Sequence, residues 1–121
     1  MPDTVPLPPL RALVVEDEAL IQMDLESLLT DAGYLVRSTS TRAAALALLD
    51  TEAFDVAILD IGLPDGDSSV VASAFVARNI PFIFSSGSDA VPEGFEDVPL
   101  VEKPYRDGAL LDAVRSVLAP R

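Results

Sequence analysis

Cysteine and histidine are both absent from the 121 residues of this chain. Without cysteine, disulfide bonds and thiolate metal sites are excluded, and without histidine no imidazole of this chain can take part in catalysis or carry a phosphoryl group. No apolar stretch is long enough to span a bilayer. The proline-rich residues 1–9 lack the basic and apolar regions of a signal peptide. We therefore expect a flexible N-terminal tail on a soluble, cytoplasmic protein with no membrane contact.

Basic residues are also scarce, since 8 Lys and Arg stand against 20 Asp and Glu and the formal net charge is −12. A charge of this sign repels nucleic acid and anionic membranes, so direct DNA binding is disfavoured. For most of these acids, solubility is a sufficient explanation. A functional interpretation must therefore depend on the few acids whose positions in the chain are special.

What the chain does contain is an alternation of strand-like and helix-like segments. Half of the residues are hydrophobic, enough for one packed domain, which we place at residues 10–119. Helix 1 should bury Ile21, Leu25, Leu28 and Ala32, and it should end at Gly33. Thr41 should cap helix 2, and Ser68 or Ser69 the next helix. The predicted strands cover residues 10–15, 34–38, 54–60, 81–85 and 99–102, and the last helix contains residues 110–118.

Alternating strands and helices predict right-handed crossovers and a parallel sheet that is covered on both faces. In such α/β sheets the ligand site lies at the carboxyl ends of the strands. The distinctive residues at those ends are Glu16 and Asp17, Asp60, Ser85 and Ser86, and Lys103. Converging carboxylates repel one another and require a cation, while one carboxylate oxygen can act as a nucleophile toward phosphorus.

Four sequence motifs at these positions resemble one known family. They are VVEDE after the first strand, LDIGLPDG at the third, PFIFSSG at the fourth and EKP at the fifth. Together and in this order they are similar to the receiver domain of response regulators in two-component signalling, from about Leu10 to Leu118. The resemblance implies a flavodoxin-like (βα)5 doubly wound sandwich with strand order 2-1-3-4-5. The fourth helix is expected to be short or irregular, because Gly and Pro interrupt residues 87–97.

By this resemblance, the acidic residues form a phosphorylation site that uses Mg²⁺. Asp60 would be the phosphoacceptor. Asp17 and Asp60 would bind Mg²⁺ directly, Glu16 would act through water, and the backbone carbonyl of Gly62 would complete the protein ligands. Glu18 is expected only to complement the positive end of helix 1.

The resemblance also implies the residues that contact the transferred phosphoryl group. Lys103 would pair with Asp60 and then with phosphoryl oxygens, and a cis peptide bond would precede Pro104. Ser86 would donate a hydrogen bond to the phosphoryl group, and the spacing from Pro81 favours Ser86 over Ser85. Most receivers have Tyr or Phe three positions before the lysine, as a rotating aromatic switch, whereas this chain has Leu100.

The expected partners are proteins. A histidine kinase or a phosphotransfer protein would supply the phosphoryl group. The PFxFATG-like strand four is similar to a subgroup that works with kinases of the HWE or a related type. We expect a single-domain receiver that acts through a downstream protein target or as a phosphate relay or sink, and a homodimer could form through strand five and the last helix. It would catalyse only its own phosphorylation and dephosphorylation, and would not be an enzyme acting on a separate substrate.

The acidic residues are also compatible with different roles. Asp60 alone could cap the turn that follows it, and a pseudo-receiver would be a binding scaffold without phosphorylation. A small Mg²⁺-dependent phosphatase with an aspartyl nucleophile is disfavoured, because position 62, where such enzymes carry a second acid, is Gly62. A flavin-binding flavodoxin is disfavoured because no Ser-, Thr- and Gly-rich phosphate loop follows the first strand.

Overall fold

The computed structural model describes residues 8–87, 90–106 and 108–118. Most of the predicted tail, residues 1–7, and the last residue of the predicted domain, Ala119, lie outside this part of the chain. Five strands form one parallel sheet in the order β2-β1-β3-β4-β5. The strands are β1 (Arg11–Val15), β2 (Leu35–Thr39), β3 (Val56–Asp60), β4 (Phe82–Ser86) and β5 (Leu100–Glu102), and the helices are α1 (Ala19–Asp31), α2 (Arg42–Thr51), α3 (Ser69–Ala77) and α4 (Ala109–Leu118).

The sheet has the predicted α/β, flavodoxin-like topology. Strand β1 pairs with both β2 and β3, and β3 pairs in turn with β4. All residues of β3 and β4 are buried, whereas exposure alternates along the edge strand β2. Parallel strands with helices on both faces have no side that faces solvent. The sequences of the central strands are therefore continuously apolar.

Two apolar clusters fill the space between the sheet and its helices. One lies on the face covered by α2 and α3 and includes Leu49, Phe75 and Phe84. The other lies on the face covered by α1 and α4 and includes Leu25 and Leu110. The packed layers hold the strands in register, and the carboxyl ends of β1, β3, β4 and β5 therefore reach the same edge of the sheet.

The buried face of α1 differs from the predicted one. Leu25 and Leu29 are fully buried, whereas Leu28 is 38% exposed and Ala32 is also exposed. Because each residue turns the helix by about 100°, Leu25 and Leu29 lie close together around the helix axis, and the side of the helix between them faces the core. Leu28 lies well away from this side, and Ala32 is the C-cap, one residue beyond the helix. The predicted phase was wrong because two adjacent leucines both fit a helical spacing.

The residues predicted to begin or end helices occupy those positions, although only one of the two predicted N-caps makes a side-chain hydrogen bond. Thr41 Oγ1 accepts a hydrogen bond from the Ala44 N–H at 3.1 Å, and Gly33 follows α1 with a φ of 100°. Ser68 is the N-cap residue of α3, one of the two predicted, but its side chain makes no capping hydrogen bond. Instead Asp67 Oδ1 accepts from the Ser69 N–H at 2.8 Å, because an Asp carboxylate readily closes this local turn.

The connection from β4 to β5 was predicted to contain a short or irregular helix. Its described residues, 87 and 90–99, form turns and no helix, so four helices cover the described sheet. Phe95 takes over the packing, with its ring centroid 6.3 Å from that of Phe82 and 6.2 Å from that of Phe84. Apolar side chains can thus cover this edge of the sheet where Gly and Pro interrupt a helix. No helix in the described ranges is long and apolar enough to cross a membrane.

Candidate metal and phosphoryl-transfer site

Three carboxylates meet at the carboxyl ends of β1 and β3. Glu16 and Asp17 directly follow β1, and Asp60 is the last residue of β3. Each provides a carboxylate oxygen within 4.8 Å of the other two. Glu16 is 1% exposed and Asp60 4% exposed, whereas Asp17 faces solvent. The predicted convergence of these three acids is confirmed, and it follows from the adjacency of β1 and β3 in the sheet.

Backbone and side-chain hydrogen bonds fix the position of Glu16. Its N–H donates to Thr39 O at 2.9 Å, and its Oε2 accepts from the Glu18 N–H at 3.0 Å. Gln22, one turn into α1, donates from Nε2 to Glu16 O at 3.0 Å and to Thr39 O at 3.1 Å. No sequence pattern indicated this supporting role for Gln22, because it depends on where β2 ends.

Lys103 provides the positive charge of the site. Its Nζ lies 2.8 Å from Glu16 Oε1 and 3.4 Å from Asp60 Oδ1, with its side chain 10% exposed. The predicted contact with Asp60 is thus present, but the shorter contact is with Glu16. Glu18 also approaches Lys103, at 3.8 Å, so this residue does more than precede α1. The peptide bond between Lys103 and Pro104 is cis, as predicted.

The pKa of Asp60 shows the electrostatic balance of the site. Burial, a hydrogen bond with Asp17 and repulsion by Glu16 raise the pKa of Asp60 to about 7, against the opposing effect of Lys103. For Lys103, burial lowers the pKa, but the hydrogen bond with Glu16 and the charges of Asp60 and Glu16 outweigh it, so the net shift is upward. The single positive charge of Lys103 therefore does not neutralise the three carboxylates around it.

The loop after Asp60 is anchored at both of its ends. Near its start, the Gly62 N–H donates to Asp60 Oδ1 at 3.2 Å; the use of the Gly62 carbonyl as a metal ligand stays a prediction. Farther along, the Asp65 carboxylate accepts from the N–H groups of Arg42 and Ala43 at 2.8 and 3.2 Å, which also lowers the pKa of Asp65. This contact with the start of α2 was missed, because the sequence alone does not place α2 beside the loop.

Two serines end β4 next to the acids. Asp60 is the register partner of Ser85, and both Ser85 and Ser86 are buried. Ser85 Oγ and Tyr105 Oη share a hydrogen bond of 2.5 Å, whereas Ser86 O accepts from the Lys103 N–H at 2.9 Å. Tyr105 was not predicted as part of the site, although its position two residues after the lysine was a usable signal. The role of Ser86 stays a prediction.

The donor set fits a hard divalent cation. All three side chains offer carboxylate oxygens, which Mg²⁺ prefers, and exposed Asp17 leaves room for the water molecules that Mg²⁺ retains. The raised pKa of Asp60 is a second indication, because the excess negative charge that causes part of it is what a cation would relieve. Glu16, Asp17 and Asp60 can therefore hold a metal ion.

A groove of about 690 Å³ adjoins the site between α1 and the segment after β5. Its apolar lining residues include Ile21, Leu28 and Tyr105, its acidic ones include Glu18, Asp24 and Asp31, and Lys103 lies at the end nearest the carboxylates. The groove is thus apolar with an acidic rim, and it shares Lys103 with the carboxylate site, since Lys103 Nζ lies 3.4 Å from Asp60 Oδ1.

Comparison with known proteins identifies the family to which this arrangement belongs. The family described as "Response regulator receiver domain" matches residues 12–115. The chain is 32% identical over 115 residues to the transcriptional activator protein IrlR of Burkholderia pseudomallei, which covers 90% of this chain and 50% of IrlR. The chain therefore spans about half the length of the curated relatives it matches first.

Solved structures agree in both fold and sequence. The solution structure of SdrG from Sphingomonas melonis Fr1 has a TM-score of 0.82 and 36% identity, covering 93% of this chain and 99% of SdrG. A BeF3-activated conformation of SdrG has a TM-score of 0.78 at the same 36% identity, covering 93% of this chain and 100% of that one. The family match covers most of the chain, and both the fold and the acidic site agree with it. The chain therefore belongs to the response regulator receiver domains of two-component signalling.

Proposed function

We propose that this receiver takes a phosphoryl group onto Asp60 and uses it as a reversible signal. The phosphodonor would be a phosphohistidine on a histidine kinase, of the HWE or a related type, or on a phosphotransfer protein. An oxygen of Asp60 attacks phosphorus, the P–N bond of the phosphohistidine breaks, and the nitrogen keeps the bonding electron pair. The products are an aspartyl phosphate and a histidine ready to be phosphorylated again.

The observation that carries the proposal is the cluster of Glu16, Asp17, Asp60 and Lys103 at the strand ends. An acid that only capped a turn would not need two further carboxylates and a buried lysine around it. The Gly62 N–H also donates to Asp60 Oδ1 at 3.2 Å, and such a bond orients the carboxylate for attack. These features favour a phosphoryl-transfer site over a pseudo-receiver scaffold.

Each charged residue has a separate task. Lys103 neutralises the carboxylates before the reaction and phosphoryl oxygens after it, and its flexible ammonium group suits this change of partner. Asp60 must be ionised to attack, and a bound cation would favour the ionised form against the burial and the repulsion by Glu16 that raise its pKa. Glu16 and Asp17, with Asp60 and the Gly62 carbonyl, would hold Mg²⁺, which supplies positive charge for the transferring phosphoryl group.

We propose that the phosphodonor protein docks in the groove next to Lys103. Any donor must bring its phosphohistidine to Asp60 and therefore must cover the neighbouring surface. The apolar lining and the acidic rim would fit an amphipathic helix with basic residues at its edges. Charge reversal by Asp24→Lys should slow transfer from the donor protein and leave transfer from acetyl phosphate, which needs no docking surface, unchanged. Equal effects on both donors would contradict this docking surface.

Output would also be through protein contacts, with a downstream target or as a phosphate relay or sink. Leu100 on β5 is 39% exposed and offers an apolar contact on that side of the domain. The homodimer through β5 and α4 stays a prediction. In this proposal the phosphoryl group is transferred to the chain itself, and no separate substrate is turned over.

The deciding experiment is incubation with acetyl phosphate and Mg²⁺, followed by mass spectrometry of the intact protein. We expect one added phosphoryl group, which is lost with Asp60→Asn or when EDTA replaces Mg²⁺. Asp50→Asn is the matched control, because Asp50 is an exposed acid that pairs with Arg78 away from the site, and this variant should be labelled like the wild type. Labelling that survives Asp60→Asn would refute the acceptor, and a complete lack of labelling would favour the pseudo-receiver.

A further inference from the structure

The hydrogen bond between Ser85 and Tyr105 joins the end of β4 to the segment that follows Lys103. We infer that this bond holds Tyr105 in place while Asp60 is unphosphorylated, and that phosphorylation of Asp60 breaks it and releases the ring into the groove beside α1. The position of the Tyr105 ring in the groove would then depend on whether Asp60 is phosphorylated. This inference rests on the proposed phosphorylation of Asp60.

Ser85 lies on the same side of the sheet as Asp60. The two are register partners on adjacent parallel strands, and such partners point to the same face of a sheet. Two residues earlier, Ile83 packs in the cluster between the sheet, α1 and α4, and Tyr105 packs against that cluster as well. The Ser85 hydroxyl is therefore placed between the phosphorylation site and the tyrosine.

The tyrosine is also coupled to the site through the backbone. It follows Lys103 by two residues, and the Lys103 N–H donates to Ser86 O at 2.9 Å. The end of β4 is thus linked twice to the segment 103–105, once by this backbone bond and once by the 2.5 Å bond between Ser85 Oγ and Tyr105 Oη. A change at the end of β4 would be transmitted to the tyrosine over a very short path.

The added phosphoryl group competes for the hydroxyl protons of this pair. It brings a charge of roughly −1.5 to −2 and three strong acceptor oxygens. A hydrogen bond to a charged acceptor is about twice as strong as one between two neutral hydroxyls. The Tyr105 hydroxyl is near enough to the site for the charges of Lys103, Glu16 and Asp60 to act on it, although burial is the main reason for its raised pKa. To donate to the phosphoryl group, the Ser85 hydroxyl must rotate toward it, which carries its Oγ away from Tyr105 Oη, and the neutral bond is then lost.

Tyr105 is better placed for this task than the residue at the position where most receivers carry an aromatic. Leu100 has no polar group, is partly exposed and pairs with Phe84 at the far end of β5. Tyr105 combines a hydroxyl bonded to β4 with a ring that lines the groove between α1 and the segment after β5. A ring that leaves its place would change the lining that a docked protein meets.

Fluorine NMR can follow this tyrosine, because the chain has only two, Tyr34 and Tyr105. The full chain is labelled with 3-fluorotyrosine, and Tyr34→Phe assigns the two signals. The readout is the change in fluorine shift between H2O and D2O, which reports solvent exposure of the ring and does not respond simply to a nearby charge. On phosphorylation with acetyl phosphate and Mg²⁺, we expect this isotope shift to increase for Tyr105 and to stay constant for Tyr34.

The variant Ser85→Ala removes the hydrogen bond and keeps the tyrosine. Its Tyr105 signal should show the larger isotope shift already without phosphate, with little further change on phosphorylation. Ser73→Ala, on the exposed side of α3, is the matched control and should behave as the wild type. The Tyr34 signal verifies the fold of each variant, and the wild-type result alone tests the inference if Ser85→Ala does not fold.

Mass spectrometry of the same samples separates the possible failures. Protein that is phosphorylated on Asp60 but keeps its Tyr105 isotope shift would overturn this inference and leave the proposed function intact. A phosphorylation response in Ser85→Ala equal to that of the wild type would also overturn it. If Asp60 accepts no phosphoryl group, the proposed function fails and the inference fails with it.

Discussion

Lys103 Nζ lies closer to Glu16 than to Asp60, at 2.8 Å from Glu16 Oε1 and 3.4 Å from Asp60 Oδ1. Its primary contact is thus with the acid that would act on the metal through water, and its second contact is with the proposed nucleophile. In this arrangement Asp60 keeps its reacting oxygens close to the cation without being tightly paired with it. Lys103 must therefore matter both for the stability of the acidic site and for its chemistry.

Removing the charge of Lys103 should be strongly destabilising. With Lys103→Met, two buried carboxylates lose their shared cation, and breaking a buried pair in this way typically costs about 3–5 kcal/mol. We expect a loss of this size in the free energy of unfolding, measured by urea denaturation at pH 8 in EDTA, and partial recovery when Mg²⁺ is added. Arg78→Met is the control, because its pair with Asp50 is exposed and should contribute no more than about 1 kcal/mol. Equal losses would argue against a buried cation.

Removing the charge of Asp60 should have the opposite effect. Its pKa is raised from 3.8 to about 7 in the folded protein, so the folded state holds a proton that the unfolded state has released. Stability should therefore fall as the pH rises from about 4 to about 7. Asp60→Asn avoids the cost of holding an ionised, buried carboxylate in the folded state. In EDTA at pH 8 this variant should therefore be more stable than the wild type by a few kcal/mol.

The pH profile distinguishes this effect from a general gain in packing. The difference between Asp60→Asn and the wild type should become small near pH 4 and disappear near pH 3, below the unfolded pKa of 3.8, where Asp60 is protonated in both states. Asp50→Asn, at an exposed position, should follow the wild-type profile at every pH. Urea titrations across this range give the measurement, and a difference that stays constant with pH would contradict the raised pKa.

Much of the site was predictable because the sheet topology turns positions in the sequence into neighbours in space. Once β1 and β3 are adjacent and parallel, acids that end them must meet, and Lys103 after β5 follows by the same rule. The choice of partners within the site was not predictable. The preference of Lys103 for Glu16, and the bond from Ser85 to Tyr105, depend on differences of about an ångström that no sequence pattern encodes.

The wrong predictions about the fold have a similar origin. Leu28 and Leu29 are adjacent and equally apolar, so only the angle at which α1 sits on the sheet decides which is buried. Ser68 is the N-cap residue of α3 as predicted, but Asp67, and not Ser68, accepts the side-chain hydrogen bond at this helix start, because the loop path brings its carboxylate to the Ser69 N–H. In the segment before β5, Phe95 contributes its ring to the core without helical spacing, and a period-based search cannot detect that.

The corrected face of α1 leads to a direct comparison of neighbouring leucines. Leu29 is fully buried, whereas Leu28 is 38% exposed. Leu29→Ala should lower the free energy of unfolding by about 2–5 kcal/mol, as expected for a leucine truncated in a core. Leu28→Ala should cost less than about 1 kcal/mol, since part of its side chain is already in water. Urea denaturation compares the two, and a larger loss for Leu28→Ala would favour the face predicted from the sequence.

Metal binding should depend on Asp17 more than on its neighbour Glu18. Asp17 belongs to the three carboxylates that converge within 4.8 Å, whereas the Glu18 carboxylate points toward Lys103 at 3.8 Å. With Asp17→Asn, we expect Mg²⁺ affinity measured by isothermal titration calorimetry to fall by at least about tenfold, since even the loss of an outer-shell partner often has that effect. Glu18→Gln is the matched control and should bind nearly as the wild type does.

Mg²⁺ affinity should also depend on pH in a defined direction. Asp60 must lose its proton to bind a metal, and its pKa of about 7 places that loss near neutrality. Affinity of the wild type should therefore increase as the pH rises from 6 to 8, with proton release on binding that is largest at the lower pH. In Asp60→Asn both the proton release and the pH dependence should be much reduced. If this variant kept the wild-type dependence, another group would have to be the one that titrates, and the pKa of about 7 for Asp60 would be contradicted.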